Sequence, residues 1–456
     1  MQTDRPARRV RPPVRTRRPT PRLPRVRLPR RGALAYVAMM GPGLITASAG
    51  NDAGGIVTYA QAGAAYGYNF LWALVITAVS LIVVQEMCTR MGAVTGKGLS
   101  DLIREEFGIG WATLAMVGLL IANGAITISE FVGINAATRV IAGEQALKGT
   151  AVGGLLPYIV VVLSAIGLWW LVTKGSRGPV ERVLLIMTLV FFAYIPAALE
   201  GERHWGAVAH AIVTPSLGGV GGVAFLIALV GTTISPYMQF FVQSSVVEQG
   251  ATMSTYRQTR DSVVIGSIFA ILVAMFIIIA TAAALYGTFD PARATSMTAG
   301  DYAKALGPVL GSWARILFAV GLFGASLLAA AVLPLSTAFA VCEVFGFESG
   351  VDKTFQEAPV FNGIFTGLIV LAVFVALIIP AQSLLPVLVQ LQAINGVVLT
   401  MVLLFVLRLV NNRRLMGRHT NGPVFNTIAW ATTAALVVLS VLYIPGILFH
   451  IGPAAG

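Results

Sequence analysis

Residues 41–64 read GPGLITASAGNDAGGIVTYAQAGA. The stretch lies in an apolar segment long enough to cross a membrane. Its middle, Gly50-Asn51-Asp52-Ala53-Gly54-Gly55, holds three glycines, an amide and a carboxylate. Each glycine weakens a helix by about 1 kcal/mol relative to alanine. A carboxylate at the centre of a bilayer costs at least ~2.5 kcal/mol. Unwound backbone is tolerated at that depth only where protein buries it or water reaches it. A spanning helix interrupted at its costliest point therefore reads as a site, and Asp52 as the group that holds a cation there.

The surrounding composition fits. Of 456 residues, 57% are hydrophobic and 11% charged, against roughly 25% charged in soluble domains. Apolar runs of about 20 residues indicate an all-α polytopic membrane protein, not a barrel. Eleven spans are expected near 33–64, 69–91, 110–143, 152–173, 181–200, 219–249, 260–287, 311–345, 359–380, 384–410 and 424–449. Cys88 and Cys342 fall inside spans with no metal or disulfide spacing.

The net charge of +12 is concentrated in residues 1–31, which carry twelve arginines interspersed with prolines. Residues 1–32 are expected to be a disordered cytoplasmic tail that reinforces topology and touches anionic headgroups, with no nucleic-acid partner. The tail lacks the apolar core of a cleavable signal. Lys97, Arg104, Lys174, Arg177, Arg260, Arg413 and Arg414 fall on the tail's side of the membrane. The opposite side holds fewer, among them Lys148, Arg203 and Arg293. The bias puts the N-terminus in the cytoplasm and, with eleven spans, the C-terminus outside an inner (cell) membrane.

Span six repeats the anomaly of span one. It reads Leu229-Val230-Gly231-Thr232-Thr233-Ile234-Ser235-Pro236-Tyr237-Met238. Pro236 cannot donate to the helix ladder, and it disfavours helical geometry at Ser235. Two interrupted spans, each opening a set of five, imply two units inserted with opposite topology. The expected domains are a first inverted repeat at 33–200, an outer loop at 201–218, a second repeat at 219–411 and a loop with span eleven at 412–456. Secondary transporters with such repeats bind substrate at the midplane between broken helices. After span two, residues 96–108 are expected to form a short amphipathic helix capped by Ser100 or Asp101 and ended by Gly108. Residues 288–310 read as a loop.

These residues resemble the Nramp family of divalent-metal transporters. Gly41-Pro42-Gly43, Gln61-Ala62-Gly63-Ala64, Gly67-Tyr68, Leu71-Trp72, Arg90-Met91-Gly92, Val94-Thr95-Gly96-Lys97, Ser244-Ser245 and Arg413-Arg414-Leu415-Met416-Gly417 follow its pattern. The resemblance implies a LeuT-type fold with spans one and six broken, a transported metal ion, no cofactor and no enzymatic activity. The departures bear on the ion. The family's span-one motif Asp-Pro-Gly-Asn is Asp52-Ala53-Gly54-Gly55 here, and its span-six Met-Pro-His is Ser235-Pro236-Tyr237. This pattern is most similar to the Nramp-related magnesium transporter branch. Oxygen ligands suit Mg²⁺ and Mn²⁺, and thioether sulfur suits softer metals. Mg²⁺ usually keeps several waters, and losing the methionine and asparagine side chains leaves room for them.

The expected metal site is Asp52, Gly55, Ser235, Ile234, Tyr237, Gln392 and Asn395. Gly55 contributes the absence of bulk or a carbonyl. Ser235 offers a hydroxyl, a carbonyl or a water-mediated contact. Ile234 and Thr233 offer carbonyls released by Pro236. Tyr237 packs, gates or hydrogen-bonds. Gln392 and Asn395, three residues apart on one helix face, contact the ion or its waters, or bond between helices. Glu130 on span three serves a proton pathway, supports the ion's ligands, or forms a structural hydrogen bond to span one or six. With no histidine at the midplane, uptake is expected to run on the ion gradient and the membrane potential, without protons. The alternatives are a proton-coupled Mn²⁺/Fe²⁺ transporter and a carrier of an organic solute such as an amino acid.

Overall fold

Two backbone breaks set the architecture. The computed structural model describes residues 41–449 except 144–146, 148–150, 203, 217–219, 289–296, 298 and 379–380. The Arg-rich segment and His450 lie outside the described residues, as do Lys148, Arg203 and Arg293. The first break separates α1 (Gly41–Ala49) from α2 (Ala53–Tyr66). Then come α3 (Leu71–Thr95), α4 (Leu99–Phe107), α5 (Ile109–Ala142), α6 (Ala151–Lys174) and α7 (Arg177–Thr188). A 3-10 turn over Leu189–Ala193 carries α7 into α8 (Tyr194–Gly201), which α9 (Trp205–Val213) follows. The second break separates α10 (Val220–Thr233) from α11 (Pro236–Glu248). The chain continues through α12 (Tyr256–Leu285), α13 (Ala299–Leu310), α14 (Ser312–Phe345), α15 (Pro359–Ile378), α16 (Ala381–Val410), α17 (Arg413–Met416) and α18 (Pro423–Phe449).

Among the described residues, eight segments are each long and apolar enough to cross a membrane, with α10 and α11 together forming one of them. Large apolar side chains such as Ile121, Leu163, Trp170, Val370 and Phe374 face outward. Such an apolar exterior suits lipid better than water.

The two broken spans lie antiparallel. Ala49, in the first half of span one, meets Tyr237, in the second half of span six, while Tyr59 meets Thr233. Span one also lies flush on α12. The Gly43 amide donates to Ser262 Oγ at 3.2 Å, and a Cβ on Gly266 would stand 2.6 Å from the Gly43 carbonyl oxygen. At the other end a Cβ on Gly63 would stand 2.8 Å from the Ala282 nitrogen. Only glycine allows that approach without moving backbone.

Three local expectations change. Residues 299–310 are helical rather than loop; Tyr302, Ala303 and Leu306 are buried on one face of α13, which supplies the packing that a loop lacks. The connection expected at 201–218 contains α9. Gly108 ends α4 with φ +91° as expected, but the N-cap is Gly98, with no side-chain cap of its own. A carboxylate from α14, Glu343, accepts the Ser100 amide instead, at 3.2 Å.

Candidate metal centre at the paired helix breaks

Asp52 is fully buried and extended (φ −68°, ψ 178°), and it caps α2. Its Oδ1 accepts the Gly55 amide at 2.6 Å. This local bond is why the helix restarts there: it satisfies one of the first-turn amides that a new helix leaves open. Glu130, from α5, satisfies another, its Oε2 accepting the Ala53 amide at 3.0 Å. Two buried carboxylates thus share the N-terminus of α2, where the helix dipole favours negative charge. Asn51 anchors the break from the other side by donating to the Ala270 carbonyl at 3.1 Å.

In span six, Pro236 opens α11 at the position where a missing amide hydrogen costs least. The Thr232 carbonyl, four residues back, loses that donor; the Ser235 hydroxyl replaces it at 3.1 Å and also reaches the Gly231 carbonyl at 3.3 Å. The Ser235 carbonyl accepts from the Met238 amide at 3.2 Å and from Gln239 Nε2 at 3.3 Å. Ser235 therefore lines the break with its proton and its carbonyl engaged, and its hydroxyl lone pairs remain as acceptors. Ile234 is buried, its amide donating to Val230 at 2.9 Å.

Tyr237 joins the two breaks. Its hydroxyl donates to the Ala49 carbonyl, the last of α1, at 2.7 Å, and its own carbonyl accepts from Ser336 of α14 at 3.0 Å. Of the roles expected for this side chain, packing in the core and a hydrogen bond to span one are both observed. Tyr237→Phe strands a buried carbonyl, which costs about 1–3 kcal/mol. It is expected to slow transport on the order of tenfold while the thermal midpoint in detergent falls by a few degrees.

Gly55 stands where bulk is least tolerated. A Cβ there would lie 2.9 Å from the Gly50 carbonyl oxygen, 3.1 Å from Thr232 Oγ1 and 3.2 Å from Asp52 Oδ1. Three oxygens thus converge beside a residue without a side chain. Thr232, missed in the sequence, is buried, and its hydroxyl has no hydrogen-bond partner among the described residues. The available signal was a hydroxyl one helical turn before Pro236 on a helix otherwise rich in apolar residues. Thr233 and Tyr59 form a second polar contact across the halves. Thr233 donates to Leu229 at 2.6 Å, so the 3.0 Å contact is Tyr59 donating to Thr233.

Met238 was also missed. Its methyl packs against Gly50, and its sulfur accepts from Gln85 Nε2 at 3.6 Å. Asn395 is buried on α16. The next residue, Gly396, faces Ile227 and Gly231, which puts this turn of α16 against the end of α10. Gln392 belongs to the backbone of α16, but its side chain lies outside the described residues. Among the described residues no three His, Cys, Asp or Glu side chains converge. The donor set is one or two carboxylates with hydroxyl and carbonyl oxygens, which suits a hard cation that keeps part of its water.

Toward one face Tyr66 packs on Phe70 and Phe225, with ring centroids 5.0 and 5.1 Å apart, and Tyr68 bonds Glu202. Toward the α4 face a cavity of ≈ 20 Å³ lies between α1, α7, α11 and α14.

Comparison with known proteins agrees with this geometry. The manganese transporter of Eremococcus coleocola, solved with an aromatic bis-isothiourea compound, superposes with a TM-score of 0.71 at 17% identity, covering 92% of this chain and 88% of that one. The divalent metal cation transporter MntH of Klebsiella pneumoniae is 24% identical over 91% of this chain and 95% of its own length. MntH of Acidiphilium cryptum is 26% identical over 67% of this chain and 70% of its own. The family model described as natural resistance-associated macrophage protein-like matches residues 43–445, nearly the whole described chain. With its two broken spans paired as in a LeuT-type fold, the chain belongs to the Nramp family.

Proposed function

We propose that the chain is a secondary transporter that moves divalent cations by alternating access. Mg²⁺, partly hydrated, is the principal substrate, and Mn²⁺ is also accepted. The observation that carries this reading is the convergence of Asp52 Oδ1, Thr232 Oγ1 and the Gly50 carbonyl oxygen beside Gly55, a crowding that a side chain there would disrupt. Asp52 supplies the charge, and the hydroxyl and carbonyl oxygens hold the ion's waters. The relatives' names support a divalent metal as cargo.

The α4 face is the cytoplasmic one in this reading, as the Lys/Arg bias requires. Residues 33–200 and 219–411 are the two inverted repeats. Transport runs on the membrane potential, since a divalent ion moving inward gains about 4.6 kcal/mol per 100 mV. Tyr237 stands at the family's span-six histidine, so no imidazole faces Asp52 there. Glu130 is committed to the Ala53 amide, a positioning role that needs no proton transfer.

Met238 favours a second reading, transport of a softer Mn²⁺ or Fe²⁺, because a thioether does lie beside Gly50. The reading is tested by recording ion entry and lumenal pH together in proteoliposomes under an inside-negative potential. Mg²⁺ entry is expected without acidification, undiminished by an amino-acid panel and retained in Met238→Leu. Acidification in proportion to flux contradicts the uncoupled reading. Loss of flux in Met238→Leu supports the softer metal, and competition by an amino acid supports the organic-solute alternative.

A further inference from the structure

Glu343 stands apart from the metal centre and is unused by the function proposed above. It lies at the α4 end of α14 with 8% of its surface exposed. Burying a carboxylate is costly unless hydrogen bonds hold it, and here partners come from two other elements. Ser244 of α11 donates to Oε1 at 2.5 Å, and the Ser100 amide at the start of α4 donates to Oε2 at 3.2 Å. Arg104 of α4 donates to the Glu343 and Val344 carbonyls at 2.8 and 3.0 Å. Gln243 of α11 donates to the Lys97 carbonyl at 2.9 Å. A Cβ on Gly98 would fall on the Glu343 carboxyl group itself, so a glycine is needed for the carboxylate to seat.

The register of these contacts gives them meaning. α11 and α14 run side by side in the same direction, bonded at the metal centre through Tyr237 and Ser336 and again, seven residues further along each helix, through Ser244 and Glu343. Two helical turns, about 10 Å, separate the two ties. Phe241 and Ser245 of α11 and Leu335 and Phe339 of α14 line the cavity on the α4 side of the centre, with Ile45 of α1 and Val180 of α7 opposite. At ≈ 20 Å³ it has room for about one water. The two helices that Glu343 ties together are thus two of the cavity's walls, with α7 a third, and α4 straps across their ends.

We propose that Glu343 is a positioning residue that latches the passage between the metal centre and the α4 face. Its bonds to Ser244 and to the Ser100 amide hold α11 against α14. The passage opens when the Ser244–Glu343 contact parts and the cavity widens between those walls. The inference rests on the alternating-access reading. Its test reads accessibility rather than flux, so a wrong assignment of the ion does not affect it.

The test uses the purified full chain in detergent with one reporter cysteine, either Val180→Cys on the cavity or Ala65→Cys toward the opposite face. Both positions are buried. The native Cys88 and Cys342 are also buried, and the parent chain sets the background. The rate of modification by a charged methanethiosulfonate is measured with and without Ser244→Ala, Gly98→Ala or Glu343→Gln. Ser244→Ala leaves the carboxylate in place, and Gly98→Ala keeps the glutamate but pushes it off its seat; both keep the test readable if Glu343→Gln does not fold. Both are expected to raise the rate at position 180 by about fivefold or more and to leave position 65 within about twofold. A latch biases one side of the molecule, whereas a merely structural contact loosens both. No change at position 180, or an equal rise at both positions, overturns the proposal.

Discussion

Asp52→Ala is expected to reduce divalent-cation uptake to background. Removing one partner of a buried ion pair costs about 3–5 kcal/mol, roughly a 10²- to 10⁴-fold loss of affinity. The same substitution removes the cap of α2, whose Oδ1 holds the Gly55 amide at 2.6 Å, and a lost cap costs only about 1 kcal/mol. The protein is therefore expected to fold with a thermal midpoint lowered by a few degrees. Asn51 still anchors the break to α12, and Glu130 still holds the Ala53 amide. Isotope uptake together with thermal unfolding in detergent separates the two effects. Asp52→Asn keeps an acceptor oxygen for the cap but no charge, so it is expected to recover stability without recovering uptake. Full uptake by Asp52→Asn would assign Asp52 a capping role only.

The second large effect is expected at Gly55. In Gly55→Ala a methyl group sits 2.9 Å from the Gly50 carbonyl oxygen, and backbone has to move to relieve the contact. Overpacking of this kind costs about 1–3 kcal/mol. The functional cost is larger, because the groups that must move are the Gly50 carbonyl, the Thr232 hydroxyl and the Asp52 carboxylate, the oxygens proposed to hold the ion and its waters. Mg²⁺ uptake is expected to fall at least about tenfold, as a shift of these oxygens costs about 1–3 kcal/mol, with Mn²⁺ less affected because Mg²⁺ demands the stricter octahedral geometry. Thr232→Val, which removes the unpaired hydroxyl and adds no atom, is expected to raise the apparent KM for Mg²⁺ and leave the thermal midpoint unchanged or slightly higher. Equal losses for Mg²⁺ and Mn²⁺ in Gly55→Ala would mean that the site discriminates elsewhere.

The two helix breaks were legible in the sequence because both are written locally. Three glycines and an aspartate interrupt one apolar run, and a proline interrupts the other. The antiparallel pairing followed from their spacing. What the sequence did not disclose depends on contacts between distant segments. The bond from Tyr237 to Ala49 joins residues 188 apart, and the one from Ser100 to Glu343 joins residues 243 apart. Ser100 looked like a cap by local pattern, yet α4 has Gly98 at its cap position, because a buried glutamate from another helix already serves the first turn. α13 was read as loop because its helical face depends on packing partners that the local pattern does not reveal. Thr232 was passed over because a threonine in an apolar helix ordinarily bonds back to its own backbone, as Thr233 does; the missing partner of Thr232 is visible only in three dimensions.

The identity of the ion is the central claim, and ion-selective uptake by the unmodified chain tests it most directly. Mg²⁺, Mn²⁺ and Fe²⁺ are presented separately to proteoliposomes at equal free concentration and equal inside-negative potential. The paired breaks predict saturable Mg²⁺ entry, slower or comparable Mn²⁺ entry and little Fe²⁺ entry. Robust Fe²⁺ or Mn²⁺ entry with no Mg²⁺ flux above protein-free vesicles would contradict it.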